Sequence, residues 1–102
     1  MLTHHALTGL REYLMNRIAY AQYMVNGIYH KARIESAAIM NDGRISVSLI
    51  IAASISGGAL VKEVSLYDAQ DICLASKAEN IMHTPSMGGI YYRFFFRIEE
   101  VE

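Results

Sequence analysis

Hydrophobic and polar residues recur along the chain with two different periods. Three leucines near the N-terminus have the i, i+3, i+7 spacing of one helical face: Leu7, Leu10 and Leu14. Thr3 precedes them and can act as an N-cap, because its hydroxyl can accept a hydrogen bond from an amide of the first turn. The pattern predicts a helix of about 14 residues that ends near Asn16 or Arg17.

From residue 19 the period changes to two, which is typical of β-strands. Asn26-Gly27 separates the segments 19–25 and 28–34 and supplies the positive φ angles that a type I′ turn needs, so it predicts a hairpin. Further strand-like segments follow at 36–40, 45–51, 59–67, 72–77 and 90–98. Glycines at 57 and 58 predict a loop at 55–58, and the one proline predicts a surface loop at 79–89.

A helix followed by about six strands in hairpin order predicts an α+β fold. We expect a single domain at 1–102, with the N-terminal helix packed on a mainly antiparallel sheet. The last strand carries large side chains on both sides: Tyr92, Phe94, Phe96 and Ile98 on one, and Tyr91, Arg93, Phe95 and Arg97 on the other. One short helix covers only part of one sheet face, so a second surface is expected to be buried against copies of the chain itself or against a partner protein.

Composition supports this expectation. Hydrophobic residues make up 53% of the chain and charged residues 19%, whereas charged residues usually reach about 25%. Tyr and Arg are enriched in the buried centres of protein interfaces. The predicted interface residues are Tyr23, Tyr29, Arg33, Tyr67, Tyr91, Arg93, Phe95 and Arg97.

Charge and motif content argue against several other classes of function. A net charge of −1 offers no basic excess for binding nucleic acid. One cysteine, Cys73, cannot form an internal disulfide, and its apolar neighbours predict a buried side chain. The sequence shows no zinc spacing, phosphate loop or nucleophile–base arrangement, so no metal, cofactor or enzymatic activity is expected.

The sequence also shows no secretory signal, and the uncharged run 45–61 is shorter than the roughly 20 apolar residues of a membrane helix. A soluble intracellular protein that binds no membrane is expected.

Two other classes of function remain open. One is a small-ligand-binding or enzymatic domain with a pocket between helix and sheet, lined by Tyr13, Tyr20, His30 and His83. The other is an adaptor that binds a protein through an exposed sheet edge.

Glu63 is a possible cross-strand ion-pair partner of Arg93 or Arg97, if their strands pair.

Short motifs along most of the chain resemble the N-terminal domains of bacteriophage and prophage tail-fibre and tail-collar proteins. Leu2-Thr3 and the helix at 6–14 resemble the "LT..G..LL" start of that family. The strand at 44–52 and a Ser-Gly loop follow, and then the sequence VKEVSLYD at 61–68 resembles its "vrEiGLfd" strand. The segment 72–76 resembles the strand after it, and YYRFFFRI at 91–98 resembles its closing "yrfrf.i" strand.

The resemblance implies a non-enzymatic component of the virion tail, assembled in the bacterial cytoplasm. It implies self-association, as a trimer or within a symmetric ring, and contact with other tail proteins. Val25-Asn26-Gly27-Ile28 stands where the family commonly has Gly-Asp-Gly, and no fibre shaft is expected after residue 102. A small stand-alone tail or baseplate accessory protein is therefore expected.

Overall fold

The computed structural model describes residues 1–52, 55, 57–84 and 88–101. This part of the chain forms one helix and seven strands. The elements are α1 His4–Arg17, β1 Tyr20–Val25, β2 Ile28–Ala32, β3 Ile34–Ile39, β4 Ile45–Ile51, β5 Ala59–Tyr67, β6 Cys73–His83 and β7 Ile90–Phe96.

The strands form two antiparallel sheets, one of four strands in the order β2-β1-β5-β6 and one of three in the order β3-β4-β7. The predicted α+β class is therefore confirmed, whereas the prediction of about six strands in one sheet is corrected to seven strands in two sheets. Arg33 alone separates β2 from β3, so the chain passes from one sheet to the other at a corner. Side-chain alternation continues through such a corner and does not reveal it.

The hydrophobic core lies between the two sheets, as in a β-sandwich. Inward-facing residues of both sheets belong to one cluster, and its fully buried members from the central strands include Ala21, Val61, Val64, Leu66, Ile45, Val47, Leu49 and Ile51. Tyr92 and Phe94 of β7 complete it from the edge. Phe96 is half-buried, so the predicted inward row of the last strand is confirmed at these three residues.

Helix α1 packs at the β3 edge of the three-stranded sheet. The Thr3 Oγ1 accepts a hydrogen bond from the Ala6 amide at 3.1 Å, which confirms the predicted N-cap. Leu14 and Met15 contact the core, but no residue of the helix is buried, and Leu10 is exposed. The helix therefore adds little to the core and leaves large sheet surfaces uncovered.

One predicted turn is confirmed and one predicted loop is partly wrong. Asn26 and Gly27 have φ of 53° and 77°, as the β1–β2 hairpin turn requires. Strand β6 continues to His83, so residues 79–83 of the predicted 79–89 loop are strand. A register shift between Val61 and Glu63 in the β5–β6 pair breaks the simple alternation there. Residues 85–87 of that loop, and residue 56 of the predicted 55–58 loop, lie outside the described residues.

Candidate subunit interface

The outer faces of both sheets carry aromatic and charged side chains. We define the β7 face, on the three-stranded sheet, as Ser36, Ala38, Ser46, Ser48, Ile50, Tyr91, Arg93 and Phe95. We define the β5 face, on the four-stranded sheet, as Tyr20, Gln22, Met24, Tyr29, Lys31, Glu63, Ser65 and Tyr67. The two faces lie on opposite sides of the core, because each is the outward side of its own sheet.

Large side chains on the β7 face stand beside small ones. Arg93 lies opposite Ser48 and Phe95 opposite Ser46 in the β4–β7 register. A serine is too small to cover a neighbouring ring, so Phe95 remains 45% exposed, and Tyr91, opposite Ile50, is 58% exposed. The result is a raised row of Tyr91, Arg93 and Phe95 along one edge of the sheet.

Contacts within the β7 face fix the geometry of this row. The guanidinium of Arg93 lies 5.3 Å from the ring centroid of Tyr91 and 5.8 Å from that of Phe95. The guanidinium of Arg44 lies 4.7 Å from the ring centroid of Phe95. Hydrogen bonding to Ser48, and then to Arg93, holds the pKa of the Tyr91 phenol below its usual value. The row is ordered before any partner binds.

The β3–β4 turn supplies a further support that sequence reasoning missed. Arg44 Nε lies 2.7 Å from an Asp42 carboxylate oxygen, and Arg97 lies 3.9 Å from the same oxygen. A bond from the Arg44 amide and then the Arg44 side chain hold the pKa of Asp42 below its usual value against some desolvation. The Asp-Gly-Arg sequence of the turn was the available signal for this contact, but its distance along the chain from β7 concealed it.

The β5 face carries a second group of aromatic rings. Tyr20 and Tyr67 stack with centroids 5.3 Å apart, and the Lys31 ammonium lies 4.6 Å from the Tyr20 centroid. Tyr20 donates a 2.6 Å hydrogen bond to Asp71, which, with some desolvation, raises the pKa of Tyr20 to about 12. Both outer faces therefore present rings beside charges.

Three of the predicted interface residues are adjacent on the β7 face: Tyr91, Arg93 and Phe95. Arg97 follows β7 and is exposed beside Asp42. This half of the predicted set forms one continuous surface.

The other four predicted interface residues lie elsewhere. Tyr29 and Tyr67 are on the β5 face, and Arg33 is exposed at the corner between β2 and β3. Tyr23 is 3% exposed, so its prediction as an outer residue is wrong. It lies on the inner side of β1 and stacks on His30, which the sequence alone does not reveal because β1 carries tyrosine on both sides.

The residues of the alternative pocket do not converge. Tyr20 pairs with Tyr67 and His83 with Ala59, at opposite ends of β5, about 26 Å apart at ~3.3 Å per residue. Tyr13 lies exposed on the helix. The described part of the chain contains no pocket, so the prediction that these side chains line a common cavity is corrected.

His83 is fully buried at the end of β6. Its Nδ1 lies 3.1 Å from the Gly57 carbonyl oxygen, while its Nε2 has no hydrogen-bond partner among the residues that the structure describes. This contact holds the ring against the loop that precedes β5.

The predicted burial of Cys73 is wrong. Cys73 is exposed because it begins an edge strand, where one side has no neighbouring strand. Its thiol donates a 3.4 Å hydrogen bond to the Ala75 carbonyl. The residues described include no cluster of three or more His, Cys, Asp or Glu that could hold a metal ion.

The adaptor hypothesis needs an accessible sheet edge. Strand β6, with 11 residues, is such an edge, because it is the last strand of the four-stranded sheet.

The predicted ion pair between Glu63 and Arg93 does not form within the chain, because β7 pairs with β4 and β5 with β1 and β6.

No family model, no curated protein and no solved structure matches the chain. No helix in the described ranges is long and apolar enough to cross a membrane.

Proposed function

We propose that the protein is a non-enzymatic structural subunit of a phage-like tail that associates with copies of itself and with neighbouring tail proteins. The observation that supports this proposal is the exposed row of Tyr91, Arg93 and Phe95 on the β7 face. Aromatic residues and Arg supply most of the binding energy in protein interfaces.

The ordering of the row favours binding. Stacking by Arg44 and Arg93 holds the rings in place, so association loses less side-chain entropy than it would with free rotamers. A stable interface takes about 800 Å² from each partner. That is about an eighth of the 6442 Å² of accessible surface of the chain, more than the row alone provides, so the contact extends over the rest of the face.

The tail assignment rests on the resemblance of five segments, in order, to tail-fibre and tail-collar N-terminal domains. Two of these segments form β5 and β7, the strands that carry the two aromatic faces. The assignment predicts that the gene lies among baseplate and fibre genes. A position inside a metabolic or regulatory operon would contradict it.

Charge substitution on the β7 face tests the association. We expect light scattering to show an oligomer for the unmodified chain and a monomer for Phe95→Asp, because a carboxylate buried in an interface without a partner opposes binding. Leu10→Asp is the matched control, since Leu10 is 46% exposed, like Phe95, but lies on the helix. A monomeric unmodified chain at all concentrations, or oligomers of unchanged mass for Phe95→Asp, would contradict the proposal.

A further inference from the structure

We propose that the β7 face of one copy binds the β5 face of the next copy, with Arg93 of one against Glu63 of the other. The inference rests on the proposed self-association and specifies its geometry. The contact is head-to-tail, between two different surfaces of the same chain.

Unpaired charges on the two faces carry the inference. Among the described residues, no carboxylate lies within ion-pair distance of Arg93 and no cation within that distance of Glu63. Within the described ranges, Arg93 donates a side-chain hydrogen bond to the Tyr91 phenol and Glu63 accepts one from the Ser65 hydroxyl at 3.1 Å. Both groups are left with charge that a second copy can neutralise.

The β7 face is net positive, whereas the two charges of the β5 face cancel. The β7 face contains Arg93 and no acidic residue. The β5 face contains Lys31 and Glu63, and Asp71 lies at its end, bound to Tyr20. Complementary potentials favour specific docking, whereas like charges placed opposite each other disfavour it. A symmetric contact between two β7 faces brings together two cationic surfaces, so charge favours the contact of unlike faces.

The positions of the two groups also fit. Glu63 is on β5, a central strand of its sheet, and Arg93 is in the middle of β7. The exposed rings of Tyr91 and Phe95 flank Arg93, and the half-buried ring of Tyr67 lies four residues from Glu63 on β5. Rings around a desolvated charge pair exclude water from it, as in the centre of known interfaces.

Complementation between two damaged chains tests this geometry. Phe95→Asp damages only the β7 face, and Glu63→Lys damages only the β5 face. We expect each variant to be monomeric alone and an equimolar mixture to form a one-to-one heterodimer by light scattering, since one intact face of each kind remains. Thermal melting of each variant checks that it folds.

A charge swap gives an independent readout. We expect Arg93→Glu and Glu63→Lys each to weaken association by about tenfold or more, and the double variant to recover most of that loss, because the pair is restored in reversed order. Glu12→Lys is the control, because Glu12 is an exposed acid on the helix and its reversal should leave association unchanged.

The outcomes separate this inference from the proposed function. If Glu63→Lys alone keeps the unmodified oligomer while Phe95→Asp is monomeric, the head-to-tail geometry is overturned and the β7 interface stands. If the double variant is no better than the single ones, the Arg93–Glu63 contact is overturned. If the unmodified chain is itself monomeric, the proposed self-association fails, and this geometry fails with it.

Discussion

Asp68 shows how one buried carboxylate joins distant parts of the chain. One of its oxygens accepts bonds from the Gln70 amide at 2.9 Å and the Ile72 amide at 3.0 Å, and the other accepts a 2.8 Å bond from Arg17. The side chain is 1% exposed. It therefore shapes the β5–β6 turn and holds the C-terminal end of the helix to the sandwich.

The pKa of Asp68 determines the direction of its pH effect. The Ile72 amide above all, and then Arg17, hold this pKa below its usual value despite desolvation. A carboxylate with a depressed folded-state pKa contributes stability at pH values above its unfolded pKa of about 3.9, and that contribution is lost as the pH falls through the folded pKa.

We expect Asp68→Asn to melt at a lower temperature than the unmodified chain at pH 7, and the difference in melting temperature to shrink on acidification below pH ~4. Thermal melting monitored by circular dichroism measures both, with Glu12→Gln as the exposed control. A constant difference from pH 7 to 2 would contradict this account.

At the scale of elements, the sequence predicted the features that depend only on neighbouring residues. Thr3 sets the start of α1 and Asn26-Gly27 the first hairpin, and both depend only on adjacent backbone groups. The corner at Arg33 and the extension of β6 to His83 depend on which strands pair, and residues distant in sequence decide that. The same limit explains the mixed outcome for the interface, because the alternation of β7 placed Arg93 outward but could not place Tyr23.

The β3–β4 turn shows the effect of a contact between elements. Gly43 has φ of +88°, and a Cβ atom at this position would lie 3.0 Å from Arg11 Nη2 of the helix. We expect Gly43→Ala to lower the free energy of unfolding by about 1–2 kcal/mol, because a non-glycine residue is strained at this φ and Arg11 must move. Gly9→Ala is the control: Gly9 is helical with open space around it, so its substitution should stabilise by about 0.5–1 kcal/mol. Urea denaturation measures both signs, and a stabilising Gly43→Ala would contradict the interpretation.

At the scale of the whole molecule, the two sheets must remain packed for either outer face to keep its shape. The phenol of Tyr92, on β7, donates a hydrogen bond to Glu79, on β6, and so joins the two sheets near their edges. Desolvation, and then this bond, raise the pKa of Tyr92, so the phenol keeps its proton and remains a donor.

Removal of this hydroxyl tests the link between the sheets. We expect Tyr92→Phe to lower the free energy of unfolding by about 1–2 kcal/mol, because the half-buried Glu79 carboxylate loses its donor. Tyr91→Phe is the matched control on the neighbouring, exposed side of the same strand, and should stay within about 0.5 kcal/mol of the unmodified chain. Equal effects of the two substitutions in chemical denaturation would show that the inter-sheet bond adds no stability.

The corner at Arg33 has a consequence for any larger structure built from this chain. One residue between β2 and β3 leaves the two layers little freedom to swivel against each other. The angle between the two outer faces is thus a built-in property of each copy. A head-to-tail array would inherit its pitch and handedness from that angle, and lengthening the corner by a few glycines would loosen both.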